Sequence, residues 1–279
     1  MNLIKKILIG SNAKILPLAI AITLFGVVIS NNYQNIILVL SGLFTIAFIY
    51  LLNTSCDIEE DKINEVNNIQ DDEHFAIKIS LFIYLLLSLL FSFIYNILSF
   101  LFVIVILLLG FFYSFKINNF RFKNILVIKN LITALGWCLL IFVGSSTINA
   151  LTISSACLVF MFIFTASTIA DVEDIKGDLK VGIITIPSVL GIRRFSYFIL
   201  LIQCVGLLLI LFLILYGLPY YLFFISLIFF INIFFILYNL KYCVKNNDII
   251  VKSWRKTTAY RLLITALIIF IMDFVIILG

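Results

Sequence analysis

Between Lys78 and Lys116 the chain carries no charged side chain. That stretch is long enough to cross a bilayer twice, since one crossing takes about 20 mostly apolar residues. Near its midpoint stands its single amide, Asn96, which reads as a tight turn between two spans. Soluble domains carry about 25% charged and roughly 45–50% apolar residues; here the values are 12% and 64%. A soluble enzyme, a disordered chain and a disulfide-stapled secreted domain are excluded together. Runs such as Ile97–Leu109 do not alternate polar with apolar residues, so a β-barrel is excluded as well.

The same reading along the chain predicts an all-α polytopic membrane protein, one transmembrane domain over 1–279, with about nine transmembrane helices. The expected spans are 15–30, 35–55, 78–95, 97–114, 125–143, 151–170, 196–215, 219–240 and 260–278. The first is expected to be a span rather than a removed signal, because it lacks a small-residue cleavage site. All 19 lysines and arginines fall in one alternate set of segments flanking these spans. The other set, Ser30–Gln34, Tyr95–Asn96, Gly144–Ala150 and Tyr216–Pro219, has no ionisable side chain. By the positive-inside rule the basic side is cytoplasmic, with the N-terminus in a cell membrane's inner compartment. The net charge of +5 then reads as topology and contact with anionic membrane lipid, with no nucleic-acid partner. Five cysteines without a Cys-x-x-Cys pair and a lone histidine, His74, suggest neither zinc nor a disulfide framework.

The carboxylates are clustered instead of scattered. One group starts at Asp57 and includes Glu59, Glu60 and Asp61; the other is Asp171, Glu173, Asp174 and Asp178. Each begins where an expected apolar span ends. At about 100° per residue, Asn53, Asp57 and Asp61 share one helical face, and Asp171, Asp174 and Asp178 fall inside a sector of about 60°. Carboxylates stacked this way repel one another unless a cation sits among them, and hard oxygen ligands suit Mg²⁺ with substrate phosphates. The partial negative charge at a helix C-terminus adds to the preference for a cation. The expectation is a shared metal–diphosphate site: Asn53, Asp57, Asp61, Asp171, Asp174 and Asp178 as metal ligands, with Asp57, Asp61, Asp174 and Asp178 essential to catalysis. Lys116, Arg121, Lys123, Lys180, Arg193 and Arg194 are candidates to hold phosphate oxygens, with Tyr113 beside Lys116. Carboxylates that coordinate an ion also suit a cation transporter, although transporter sites usually lie near the midplane on broken helices.

These residues resemble the UbiA-type intramembrane prenyltransferases. Asn53, Asp57 and Asp61 match that family's Asn-x-x-x-Asp-x-x-x-Asp motif without a gap, and Asp174 and Asp178 match the core of its second motif. The string from Asp171 through Pro187 to Gly191 resembles the branch that includes archaeal digeranylgeranylglyceryl phosphate synthases. Two features depart from the family. Its Pro-x-Arg-Pro element is missing from 64–69, where Val66, Asn68 and Ile69 stand. Its Tyr…Lys…Gly-Asn pattern is met in Lys116–Asn124 only with a gap and with Lys123 in place of glycine. The resemblance implies nine helices around a central cavity opening toward the cytoplasmic side, and Mg²⁺-dependent transfer of a prenyl group from a prenyl diphosphate donor. It implies a lipid-phosphate acceptor, geranylgeranylglyceryl phosphate, as in archaeal ether-lipid biosynthesis; an aromatic acceptor of quinone biosynthesis is the alternative. No protein partner is implied. The chain's 29 Phe, 12 Tyr and two Trp offer ring faces that stabilise an allylic cation.

Overall fold

A computed structural model gives the fold. It describes residues 7, 10–13, 15–31, 33–57, 74–116, 121–180, 183–215, 227 and 230–234, without the side chains of 74, 173, 174 and 176–180. The described elements are all helical: α1 (Leu16–Ile29), α2 (Leu38–Cys56), α3 (His74–Tyr95), α4 (Ile97–Ser114), α5 (Ile128–Cys138), α6 (Leu140–Ser145), α7 (Ala150–Lys180) and α8 (Ile186–Leu215). Six helical segments are long and apolar enough to cross a membrane, and the shorter α1 is apolar too. The protein is therefore a multi-pass membrane protein. The expected span 260–278 lies outside the described residues, as does 219–240 apart from 227 and 230–234.

The chain divides into two compact units, one comprising Met1–Asn124 with Leu135–Thr152 and the other Ile125–Ala134 with Ile153–Gly279. In the first, small residues let helix backbones approach, which replaces the hydrophobic drive that lipid removes. A Cβ on Gly26 of α1 would strike the Ile141 carbonyl of α6, and one on Gly144 would strike that of Thr23. Buried hydroxyls then tie helices together: Ser41 Oγ donates to the Ser88 carbonyl at 2.7 Å, joining α2 to α3. Ser99 Oγ donates to the Val143 carbonyl at 2.8 Å, joining α4 to α6. Such bonds contribute about 0.6 kcal/mol each on average in membranes. Asn96 does act as a turn: its Oδ1 accepts from the backbone N–H of Leu98 at 2.8 Å and of Ser99 at 3.3 Å, capping α4. Phe82, Phe93 and Ile94 on α3 and Leu101 and Leu108 on α4 are exposed, as lipid-facing residues should be.

In the second unit, Gln203 Nε2 of α8 donates to Thr165 Oγ1 of α7 at 2.9 Å, and both residues are buried. Three boundaries differ from the sequence expectation. Helix α7 continues ten residues past 170, to Lys180, because the acid-rich segment Asp171–Asp178 keeps good helix formers such as Glu and Lys although it is no longer apolar. Helix α8 starts at Ile186, not 196, and is interrupted at Gly191, whose φ of 70° and ψ of 155° are not helical; the charged pair Arg193–Arg194 hid this start from a hydropathy reading. The span expected at 125–143 begins at Ile128, since Val127 adopts φ 68°. A β-branched residue in the left-handed region costs about 1–3 kcal/mol, so surrounding structure holds that turn.

Candidate active site

The first carboxylate cluster is built at the end of α2. Asp57 is the C-cap, its backbone N–H bonded to the Asn53 carbonyl at 3.0 Å. One helical turn separates the two residues, so Asn53 Nδ2 reaches Asp57 Oδ2 at 2.9 Å. Ser114 Oγ, at the end of α4, donates to Asn53 Oδ1 at 3.3 Å and sets which way the amide faces. Two cations complete the group. Arg121 Nη2 pairs with Asp57 Oδ1, and Lys123 Nζ pairs with Oδ2. Asp57 and Arg121 are buried, while Lys123 is 23% exposed. Lys123 sits in a three-residue 3-10 turn, Phe122–Asn124, closed by the Asn124 N–H to Arg121 carbonyl bond at 3.0 Å.

The second cluster stands on α7. Asp171 is buried, with Lys129 Nζ 2.8 Å from Oδ1 and Asn130 Nδ2 donating to Oδ2 at 3.0 Å. Asn130 Nδ2 also lies 3.3 Å from Ser167 Oγ, one turn before Asp171. Lys129 and Asn130 occupy the first turn of α5, where the Val127 carbonyl accepts the N–H groups of Asn130 at 3.1 Å and Leu131 at 3.0 Å. A lysine there opposes the positive end of the helix dipole; its pairing with Asp171 offsets that penalty.

Among the expected residues, the structure brings Asn53 and Asp57 together with two of the candidate cations, Arg121 and Lys123. Asp171, Asp174 and Asp178 share one continuous helix. The expected helix end at 170 is corrected: α7 runs on, so no helix C-terminus contributes partial negative charge at Asp171. Lys116, Arg193 and Arg194 are exposed, and Tyr113 is half-buried. Asp61 lies outside the described residues, as do the side chains of Asp174, Asp178 and Lys180. Sequence reasoning missed Ser114, Asn130 and Ser167 and assigned Lys129 no role. A signal existed for two of them: the Lys-Asn dipeptide at 123–124 recurs at 129–130. The family pattern falls on the first copy, whereas Asn130 of the second reaches an aspartate and Asn124 is exposed.

Among the described residues no three His, Cys, Asp or Glu side chains gather as a metal-binding group. The donors themselves suit Mg²⁺, since the Asp57 carboxylate and Asn53 amide offer hard oxygen atoms; here Arg121 and Lys123 neutralise that carboxylate. A buried carboxylate requires such neutralisation.

Comparison with known proteins adds the following. The model of the UbiA prenyltransferase family matches residues 14–255. No curated protein matches the sequence. Among solved structures, a digeranylgeranylglyceryl phosphate synthase is similar with a TM-score of 0.72 and 21% identity, over 98% of this chain and 99% of that one. A UbiA homologue from Archaeoglobus fulgidus bound to GPP and Mg²⁺ gives 0.66 and 17%, over 95% and 99%. An apo UbiA homologue from Aeropyrum pernix K1 gives 0.70 and 13%, over 95% and 98%. At these identities the likeness is one of fold.

Proposed function

The chain belongs to the UbiA prenyltransferase family, and on that premise we propose that it moves a geranylgeranyl group from geranylgeranyl diphosphate to the free hydroxyl of geranylgeranylglyceryl phosphate. The observation that carries the transfer reading is the group at the end of α2: a buried aspartate, its asparagine, and two cations suited to phosphate oxygens. The choice of substrates is supported by the fold likeness to a digeranylgeranylglyceryl phosphate synthase and by the Asp171–Gly191 string. The Mg²⁺ requirement is supported by the homologue bound to GPP and Mg²⁺.

Asn53 and Asp57 would hold the metal, with Asp61, Asp174 and Asp178 supplying further carboxylates. When bound, Mg²⁺ neutralises the leaving diphosphate. Arg121 and Lys123 exchange Asp57 for non-bridging diphosphate oxygens as the donor arrives, so the carboxylate is released when it is needed. The missing Pro-x-Arg-Pro arginine is then replaced by Arg121. Lys116, Lys180, Arg193 and Arg194, with Tyr113, serve the acceptor phosphate and the mouth of the site. Asp171 is engaged by Lys129 and Asn130 and acts in positioning α5. In the reaction the allylic C–O bond breaks with its electron pair leaving on diphosphate. The acceptor hydroxyl oxygen forms the new ether bond, and its proton leaves with the diphosphate. Aromatic side chains shield the allylic cation and exclude water.

The test is a product assay. Purified protein in liposomes receives labelled geranylgeranyl diphosphate, Mg²⁺ and a panel of acceptors. The expected product carries a second ether-linked geranylgeranyl chain on the glycerol. Prenylation of an aromatic acceptor alone would keep the transferase and reassign its substrate.

A further inference from the structure

Asn130 is 2% exposed, and its Oδ1 has no hydrogen-bond donor among the described residues. Buried polar atoms left in this state are few in native proteins, and each points to a missing partner. The amide cannot be turned to remove the difficulty. Nδ2 faces Asp171 Oδ2 at 3.0 Å, so reversing it would set oxygen against a carboxylate. The neighbouring hydroxyl cannot serve either, because Ser167 Oγ donates to the Phe164 carbonyl at 3.0 Å.

The surroundings select what the missing donor is. The ammonium of Lys129, 2.8 Å from Asp171 Oδ1, already balances the carboxylate beside Asn130. A metal ion or a second ammonium there would meet like charge. A neutral O–H adds none and supplies the hydrogen that Oδ1 lacks.

We propose that Asn130 is a specificity-determining residue whose Oδ1 receives the hydroxyl of the prenyl acceptor. The inference rests on the prenyl-transfer reading above. Asn130 orients the hydroxyl and takes no proton, because an amide oxygen is too weak a base; Ser167 and Asp171 keep the amide turned so that its oxygen faces the acceptor. A site built to bond a hydroxyl rejects the analogue that lacks it, because its own polar atom is then left unmet.

The experiment compares geranylgeranylglyceryl phosphate with a deoxy analogue, in which hydrogen replaces the hydroxyl, as a competitive inhibitor of the full chain in liposomes with Mg²⁺ and geranylgeranyl diphosphate. In the wild type the deoxy analogue should bind roughly 10- to 100-fold more weakly than the acceptor. Asn130→Ser, which removes the amide oxygen, should raise the acceptor KM by a similar factor, leave the donor KM in place and abolish the discrimination. Equal binding of the two compounds by the wild type overturns the proposal, and this arm stands even where the variant fails to fold. Discrimination that persists in a folded Asn130→Ser variant overturns it equally. A wild type that consumes no prenyl diphosphate overturns the transfer reading itself, and the proposal with it.

Discussion

Asp57 and Asp171 are the same chemical group in the same kind of surroundings: each is a buried aspartate with an asparagine Nδ2 on Oδ2 and a lysine close by. They differ in what carries their partners. Asp57 caps the end of α2, takes its asparagine from its own helix, and meets cations from beside and within a three-residue 3-10 turn. Asp171 stands inside α7 and takes both asparagine and lysine from the first turn of another helix, α5. Both aspartates sit in ion pairs, so burial does not separate them; a short turn held by few backbone bonds gives up its side chains at smaller cost than a packed helix does. The first arrangement suits a carboxylate that changes partners during turnover. The second suits one that keeps them.

The strongest way to break this comparison is to remove each carboxylate. Asp57→Ala should abolish prenyl transfer while the protein stays folded in detergent, because the metal–diphosphate ligand is lost; near wild-type turnover at low Mg²⁺ would sink the metal assignment. Asp61→Ala, Asp174→Ala and Asp178→Ala should behave alike. Asp171→Ala should instead show its main effect as lower thermal stability in the absence of substrate, since the ion pair with Lys129 and the bond from Asn130 are lost.

Lys129→Met tests the permanent pair. Removing one partner of a buried ion pair costs about 3–5 kcal/mol, and Mg²⁺ should not restore the lost stability. Arg121→Met takes away one of the two cations on Asp57 and leaves Lys123 on its other oxygen, and there Mg²⁺ should recover most of the loss by taking the vacated Oδ1. Melting curves with and without Mg²⁺ decide it: equal rescue of both variants would erase the distinction between the two aspartates.

Lys123→Met sharpens the claim of exchange. A hydrogen bond to a charged group contributes about 1.5–3 kcal/mol, so the donor KM should rise roughly 10- to 100-fold, with the fold intact because Lys123 is partly exposed. An unchanged donor KM would leave Lys123 a structural counter-ion only. The smallest effect belongs to Ser114→Ala, which removes one 3.3 Å bond to Asn53. It should cost about 1 kcal/mol or less, seen as a modest fall in melting temperature with turnover largely retained. A collapse of turnover would mean that the orientation of the Asn53 amide is critical.

Much of the first region was legible in the sequence, and little of the second. Asn53 and Asp57 lie four apart on one helix, so helical periodicity alone predicts that they meet, and they do. The span 97–114 was legible to its ends, because Asn96 is both the only amide in a long uncharged run and the cap that starts α4. Hydropathy failed where helix and apolar run part company: α7 runs on through its acids to Lys180, and α8 begins ahead of its arginine pair. Lys129 looked like one more basic residue of a membrane-flanking loop, and nothing local marks Asn130 as a neighbour of Asp171.

The sequence by itself determined that this chain crosses a membrane several times and which short-range pairs its helices present. Both follow from the cost of putting charge and unpaired backbone into hydrocarbon and from the 3.6-residue turn. Only the tertiary structure decided which cation belongs to which carboxylate. Arg121 reaches back 64 residues to Asp57, and Asn130 lies 41 residues from Asp171. Pairings of that length depend on how helices pack, and a lysine reads the same in sequence whether it ends beside a buried aspartate or in water.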